Sequence, residues 1–153
     1  MTVQVVDRSR SFLMAYREAS RKAVDAAANA YEVNVKRRFY QGYYTSQAFR
    51  STAQIVQHIQ REPPVWTAGG WHSLVGIPMG IPVKVAKLGA KRPFSVGEIA
   101  LAWELGHHNI FSRRYERVEI FKPVALNSLD QIAKTYSRVL TRFLNQGVSG
   151  GAS

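Results

Sequence analysis

SRSFLMAYREASRKAVDAAANAYEVNVKRRF (residues 9–39) decides how the rest of the chain must be arranged. Phe12, Tyr16, Ala19, Ala23, Ala27 and Ala30 recur at spacings of three and four, which places them along one face of an α-helix. Leu13, Val24, Ala28, Tyr31 and Val35 widen that face. The stretch therefore predicts one long helix over Ser9–Phe39, with an alanine stripe that lets another element approach closely. Arg17, Glu18, Arg21, Lys22 and Asp25 fill much of the remaining surface. Lys36, Arg37 and Arg38 occupy the last turns, where cations complement the helix dipole, and Gly42 is the expected stop.

Beyond this helix, Ala53–Glu62 reads as a strand, with Ile55 and Ile59 on one side of the chain and Val56, His58 and Gln60 on the other. The same short pattern also fits a helix. Pro63 and Pro64 end it, and the middle of the chain is punctuated by Ala68-Gly69-Gly70, Gly76, Pro78, Gly80, Pro82, Gly89 and Pro93. Between these turns lie two strand candidates, Trp71–Ile77 and Ile81–Leu88. Ser95–Gly106 is a helix: Ser95 and Glu98 make the Ser-x-x-Glu capping box and Gly106 is its stop. A polar loop at His107, His108 and Asn109 follows. Phe111–Phe121 reads as a loop leading into a short strand closed by Pro123. The final helix is expected from Val124 or Ser128 to Asn145. Its apolar face is Leu129, Ile132, Ala133, Tyr136, Leu140, Phe143 and Leu144, and Gly147 stops it. The order predicts an α+β domain over residues 1–146. Long N-terminal and C-terminal helices pack on a small, mainly antiparallel sheet, with a short middle helix and a flexible tail at 147–153.

The chain has 153 residues, a size suited to one core, and 46% hydrophobic residues, an ordinary globular fraction. It contains no cysteine, which excludes disulfides, thiolate metal sites and cysteine nucleophiles. Residues Met1–Arg10 lack the apolar run of a signal peptide, and no uncharged apolar stretch approaches a membrane span, so a soluble protein made in the cytoplasm is expected. The formal net charge of +11 implies a polyanion or an acidic partner.

Glu104, His107 and His108 are the only grouping with the flavour of a metal or hydrolase centre. Their spacing is not that of the His-Glu-x-x-His helix, and Gly106 should break the helix before the histidines. A glutamate in a polar contact beside dipole-favoured histidines is the simpler reading. No Gly-x-Ser-x-Gly, phosphate-binding loop or dinucleotide glycine pattern occurs, and the ten carboxylates form no catalytic pair in sequence, so no enzyme and no cofactor is expected. Basic clusters at Lys84, Lys87, Lys91 and Arg92, and at Arg113, Arg114 and Arg117, are the candidate contacts for a partner or for DNA phosphates. Arg37, Arg38, Phe39, Tyr40, Tyr43 and Tyr44 mix cations with aromatics in the same sense.

The second half of the chain resembles the neck and tail-completion proteins that join head to tail in tailed phages. Glu98-Ile-Ala-Leu-Ala-Trp-Glu-Leu-Gly106 looks like that family's Tyr-Ala-x-x-x-Glu-x-Gly segment. Ile120-Phe-Lys-Pro-Val-Ala-Leu126 is similar to its Pro-Phe-x-x-Pro-Ala-Leu signature, without the first proline, and Leu129–Leu144 supplies the helix that follows. Upstream, the long first helix is in the family's place, and Gln41–Ser46 with Phe49-Arg-Ser51 is faintly similar to its Thr-Gly-x-Leu-x-x-Ser turn. The resemblance implies a virion structural protein with no catalytic residues. It would form a homo-oligomeric ring, a hexamer or dodecamer, between head-adaptor and tail-tube proteins, made in the bacterial host cytoplasm and touching the DNA in the channel without sequence preference. The competing expectations are a small basic DNA-binding protein of a mobile element, and a hydrolase centred on Glu104, His107 and His108.

Overall fold

A computed structural model of the chain describes residues 9–43, 55–78, 81, 95–109, 113–116, 119 and 121–149. The fold is α+β, as the element order predicts. Helix α1 (Ser9–Tyr43) and helix α3 (Phe121–Ser149) pack against each other along their length, with a short helix α2 (Val96–Leu105) between them in sequence. They run antiparallel, since the Asn34 amide donates to Ser128 Oγ and Gln131 Oε1 near one end while the Lys22 ammonium sits 4.4 Å from the Phe143 ring near the other.

Alanine spacing makes the close approach possible. Ala19, Ala23 and Ala27 are buried on α1, with Val35 and Phe39 further along. The main core gathers at that far end: Val35, Phe39, Ile55, Val56, Ile59, Val96, Ala100 and Val124, flanked by Tyr31, Val75, Ile77, Ile81 and Phe121. Among the described residues, Val35, Ile55, Ile59 and Val96 are the largest side chains fully removed from water. Each contributes about 1.5–3 kcal/mol.

The strand expected over Ala53–Glu62 is corrected at its start. Residues 55–58 form a helical turn, and only Gln60–Arg61 (β1) is extended. Val56 is buried together with Ile55 and Ile59. Strand alternation would have turned it away from them, whereas i, i+1, i+4 spacing on a helix brings the three together. Strands β2 (Val65–Thr67) and β3 (Gly70–His72) then pair antiparallel, and β1 pairs antiparallel with β4 (Val75–Gly76). The two ladders are nested, Gln60 opposite Gly76 outside and Trp66 opposite Trp71 inside, so residues 60–76 make one interrupted hairpin. Pro63 and Pro64 interrupt it because neither has an amide to donate.

The hairpin lies along α1. At its base Arg61 pairs with Asp25 and stands 3.6 Å from a Glu32 carboxylate oxygen. At its tip the Trp71 indole N–H donates to the Arg17 carbonyl at 2.9 Å, and the Arg17 guanidinium covers the Trp66 ring at 4.3 Å.

Helix α2 opens with the expected capping box, Ser95 Oγ accepting from the Glu98 amide and Glu98 from the Ser95 amide. It ends at Gly106, with φ 98 and ψ 149. A loop was expected at His107–Asn109; that segment is instead strand β5, antiparallel to β6 (Arg114–Glu116). Backbone pairing takes over where the glycine stops the helix, a signal that residue type alone does not carry. The last helix begins earlier and ends later than expected, at Phe121 and Ser149. Pro123 lies in its first turn, where no intrahelical amide is needed, and so starts the helix instead of closing a strand. The helix also passes through Gly147 without stopping. The expected strand at Ile81–Leu88 lies, apart from Ile81, outside the described residues.

Two substitutions probe these local features. Gly106→Ala is expected to cost about 1–3 kcal/mol in denaturant unfolding, because that backbone conformation is essentially glycine's own. A Cβ there would also displace the Tyr115 side chain, which donates to the Leu105 carbonyl at 2.8 Å. Ser20 carries a buried hydroxyl with no hydrogen-bond partner among the described residues. Ser20→Ala is expected to be neutral or to stabilise by about 1 kcal/mol.

Candidate functional site

The apolar positions of α1 and α3 exceed what the two helices can cover for each other. Leu129 and Ala133 were expected on the core face of α3; both are exposed, Leu129 at 57%. On α1, Phe12, Leu13 and Tyr16 were expected on the buried face and are 54%, 62% and 43% exposed. The antiparallel register explains the second set. Lys22 lies level with Phe143, so the first turns of α1 reach past the last described turns of α3.

The uncovered side chains of α3 border an open groove of about 690 Å³. Val24, Ala27, Ala28 and Tyr31 of α1 form one wall, and Ala125, Leu129, Ile132, Ala133 and Tyr136 of α3 form the other. Trp71–Val75 of the hairpin closes one side, with Leu74 66% exposed at the rim. Among the described residues, no Lys, Arg, Asp or Glu lines this groove, in a chain with formal net charge +11. Apolar surface of this kind gains free energy when another surface removes it from water.

Tyr31 lines the groove and ties its walls together. Its hydroxyl donates to the Phe121 carbonyl at 2.8 Å. Burial, and next the nearby Glu104 charge, push its ionisation above the ordinary tyrosine value.

Glu104 is accounted for by the same junction. Its Oε2 accepts from the Phe121 amide at 3.3 Å and its Oε1 from the Lys122 amide at 3.1 Å, so the carboxylate caps α3 from α2. His107 and His108 lie in β5, just past the Gly106 that ends α2. Among the described residues no cluster of three His, Asp or Glu suits a metal ion.

Of the basic candidates, Arg113 is exposed and takes a left-handed backbone, φ 54, immediately before Arg114 in β6. Lys84, Lys87, Lys91, Arg92 and Arg117 lie outside the described residues. The groove residues Leu74 and Leu129 were not singled out as functional by sequence reasoning. The available signal was surplus: α3 carries more apolar positions than one partner helix can bury. Among the described residues, no helix is long and apolar enough to cross a membrane. No family model matches the chain, and no curated protein and no solved structure matches it.

Tyr31→Phe is expected to cost about 1 kcal/mol at neutral pH, the net worth of the hydrogen bond it removes. A raised folded pKa means the unfolded tyrosine ionises first. Its stabilising contribution is therefore complete below about pH 10 and falls as pH rises through the folded value. Urea unfolding at successive pH values should show the gap between wild type and variant closing above that point.

Proposed function

We propose that this chain is a non-enzymatic assembly protein, and that its assembly is a ring of identical copies at the head–tail junction of a tailed phage or prophage-like particle. The observation that carries the reading is the open, uncharged apolar groove between α1, α3 and the hairpin, with exposed Leu74 and Leu129 at its edge. Contiguous apolar surface of this kind marks a protein–protein contact. The chain also exposes Phe12, Leu13, Met14 and Tyr16 at the start of α1, a second and different apolar surface. Two unlike surfaces on one chain make a heterologous contact, and repeated heterologous contacts that close give a ring. The resemblance of Glu98–Gly106 and Ile120–Leu126 to neck and tail-completion proteins supports the location, with head-adaptor and tail-tube proteins as neighbours. The basic clusters Lys84, Lys87, Lys91, Arg92 and Arg113, Arg114, Arg117 then contact adjoining rings or passing DNA.

The decisive measurement is the mass of the assembled state by light scattering or sedimentation, with imaging of particles that lack the protein. A closed ring, and heads that fail to acquire tails, are the expected results. A lone monomer that turns over a substrate would overturn the reading. Leu129→Glu and Leu74→Glu are expected to leave the fold intact, since both side chains are already exposed, and to shift the mass to that of a monomer. Reversing the charges at Lys84, Lys87, Lys91 and Arg92 should abolish head–tail joining with the unfolding midpoint unchanged.

A further inference from the structure

Helix α3 has a second exposed face, of different chemistry from the groove. Lys134, Arg138 and Arg142 recur at i, i+4 and i+8, and all three are exposed. Four residues rise about 6 Å along a helix, so the cations form a row spaced much like successive phosphates on one strand. Lys134 and Arg138 border a shallow concavity of about 520 Å³ with Gln131 and Thr135, whose amide and hydroxyl groups add hydrogen-bond donors. Asp130 is the one carboxylate among its described lining residues. Among the described residues, none of the three cations is in an ion pair.

The row repels itself along the helix, and the single carboxylate described beside it, Asp130, four residues before Lys134, offsets only part of its charge. The described lining of the concavity has no aliphatic or aromatic side chain. A protein partner held by buried apolar anchors has nothing to grip there. A phosphate backbone needs only what is present: cations at regular intervals, neutral donors between them, and no base-reading element.

We propose that this face of α3 binds the phosphate backbone of duplex DNA without sequence preference, through Lys134, Arg138 and Arg142. The inference deepens the assembly reading by naming a DNA contact within it. The contact itself does not depend on ring formation.

The experiment is fluorescence anisotropy with a short, mixed-sequence duplex, titrated at several salt concentrations. Removing one cation that neutralises a phosphate lowers the slope of log K against log salt by roughly 0.9, so the triple variant K134Q/R138Q/R142Q should reduce the wild-type slope by about 2.7. A matched variant, R10Q/R21Q/K122Q, removes the same charge from exposed positions outside every proposed DNA contact and should keep most of the slope. Circular dichroism checks that both retain wild-type helix content. An unchanged slope in the α3 variant overturns the proposal, as does an equal reduction in the matched variant. Polyglutamate binding as tightly as DNA also overturns it, since the face would then suit an acidic protein.

The same titration in the Leu129→Glu background separates the two ideas. If wild type never assembles but DNA binding keeps its dependence on the three cations, the ring falls and the phosphate face stands. If wild type forms rings and the α3 triple variant binds DNA as wild type does, the phosphate face falls alone.

Discussion

Everything in this fold converges on the first residue of α3. The amides at the start of a helix have no partner within it. At Phe121 and Lys122 the partner is the Glu104 carboxylate, delivered from the last turn of α2, and Pro123 has no amide to satisfy. The negative charge also meets the positive end of the α3 dipole. Tyr31 of α1 takes up the carbonyl of the same residue, and Phe39 of α1 meets the Phe121 ring edge-on at 6.3 Å. One residue thereby fixes three helices by its amide, its carbonyl and its ring. A cap of this kind contributes about 0.5–2 kcal/mol, and here it also sets where α3 starts relative to α1.

That starting point governs what stays uncovered. Helix α1 has 35 residues and α3 has 29, and they are registered from the Phe121 end. Large aliphatic and aromatic side chains fill the space near that end, where α2 and residues 55–58 join the core. Toward the other end the contact narrows to alanines, and the hairpin covers one side only. The groove and the bare first turns of α1 are therefore products of unequal helix length and a fixed register.

Much of this was legible in the sequence. The alanine repeat at 19, 23 and 27 predicted the buried stripe of α1, and Ser95 with Glu98 located the start of α2 to the residue. Local chemistry settles such features, because a cap or a stripe is complete within a few residues. Features that depend on distant partners were not legible. Val56 needed the core to show that residues 55–58 turn helically. Leu129 looked like core because periodicity records which face is apolar, not whether anything lies opposite. The role of Glu104 required α3 to arrive seventeen residues later in the chain. Pro123 read as a terminator, when the same missing amide equally suits a beginning.

The hairpin holds α1 in two unlike ways. Its tip grips a main-chain carbonyl, that of Arg17, and every turn of any helix offers such an acceptor. Its base is tied to Asp25 and Glu32, two carboxylates that stand two turns apart at fixed places on α1. The base is therefore specific to its place on α1 by charge, whereas at the tip only the Arg17 guanidinium over Trp66 distinguishes that turn from any other.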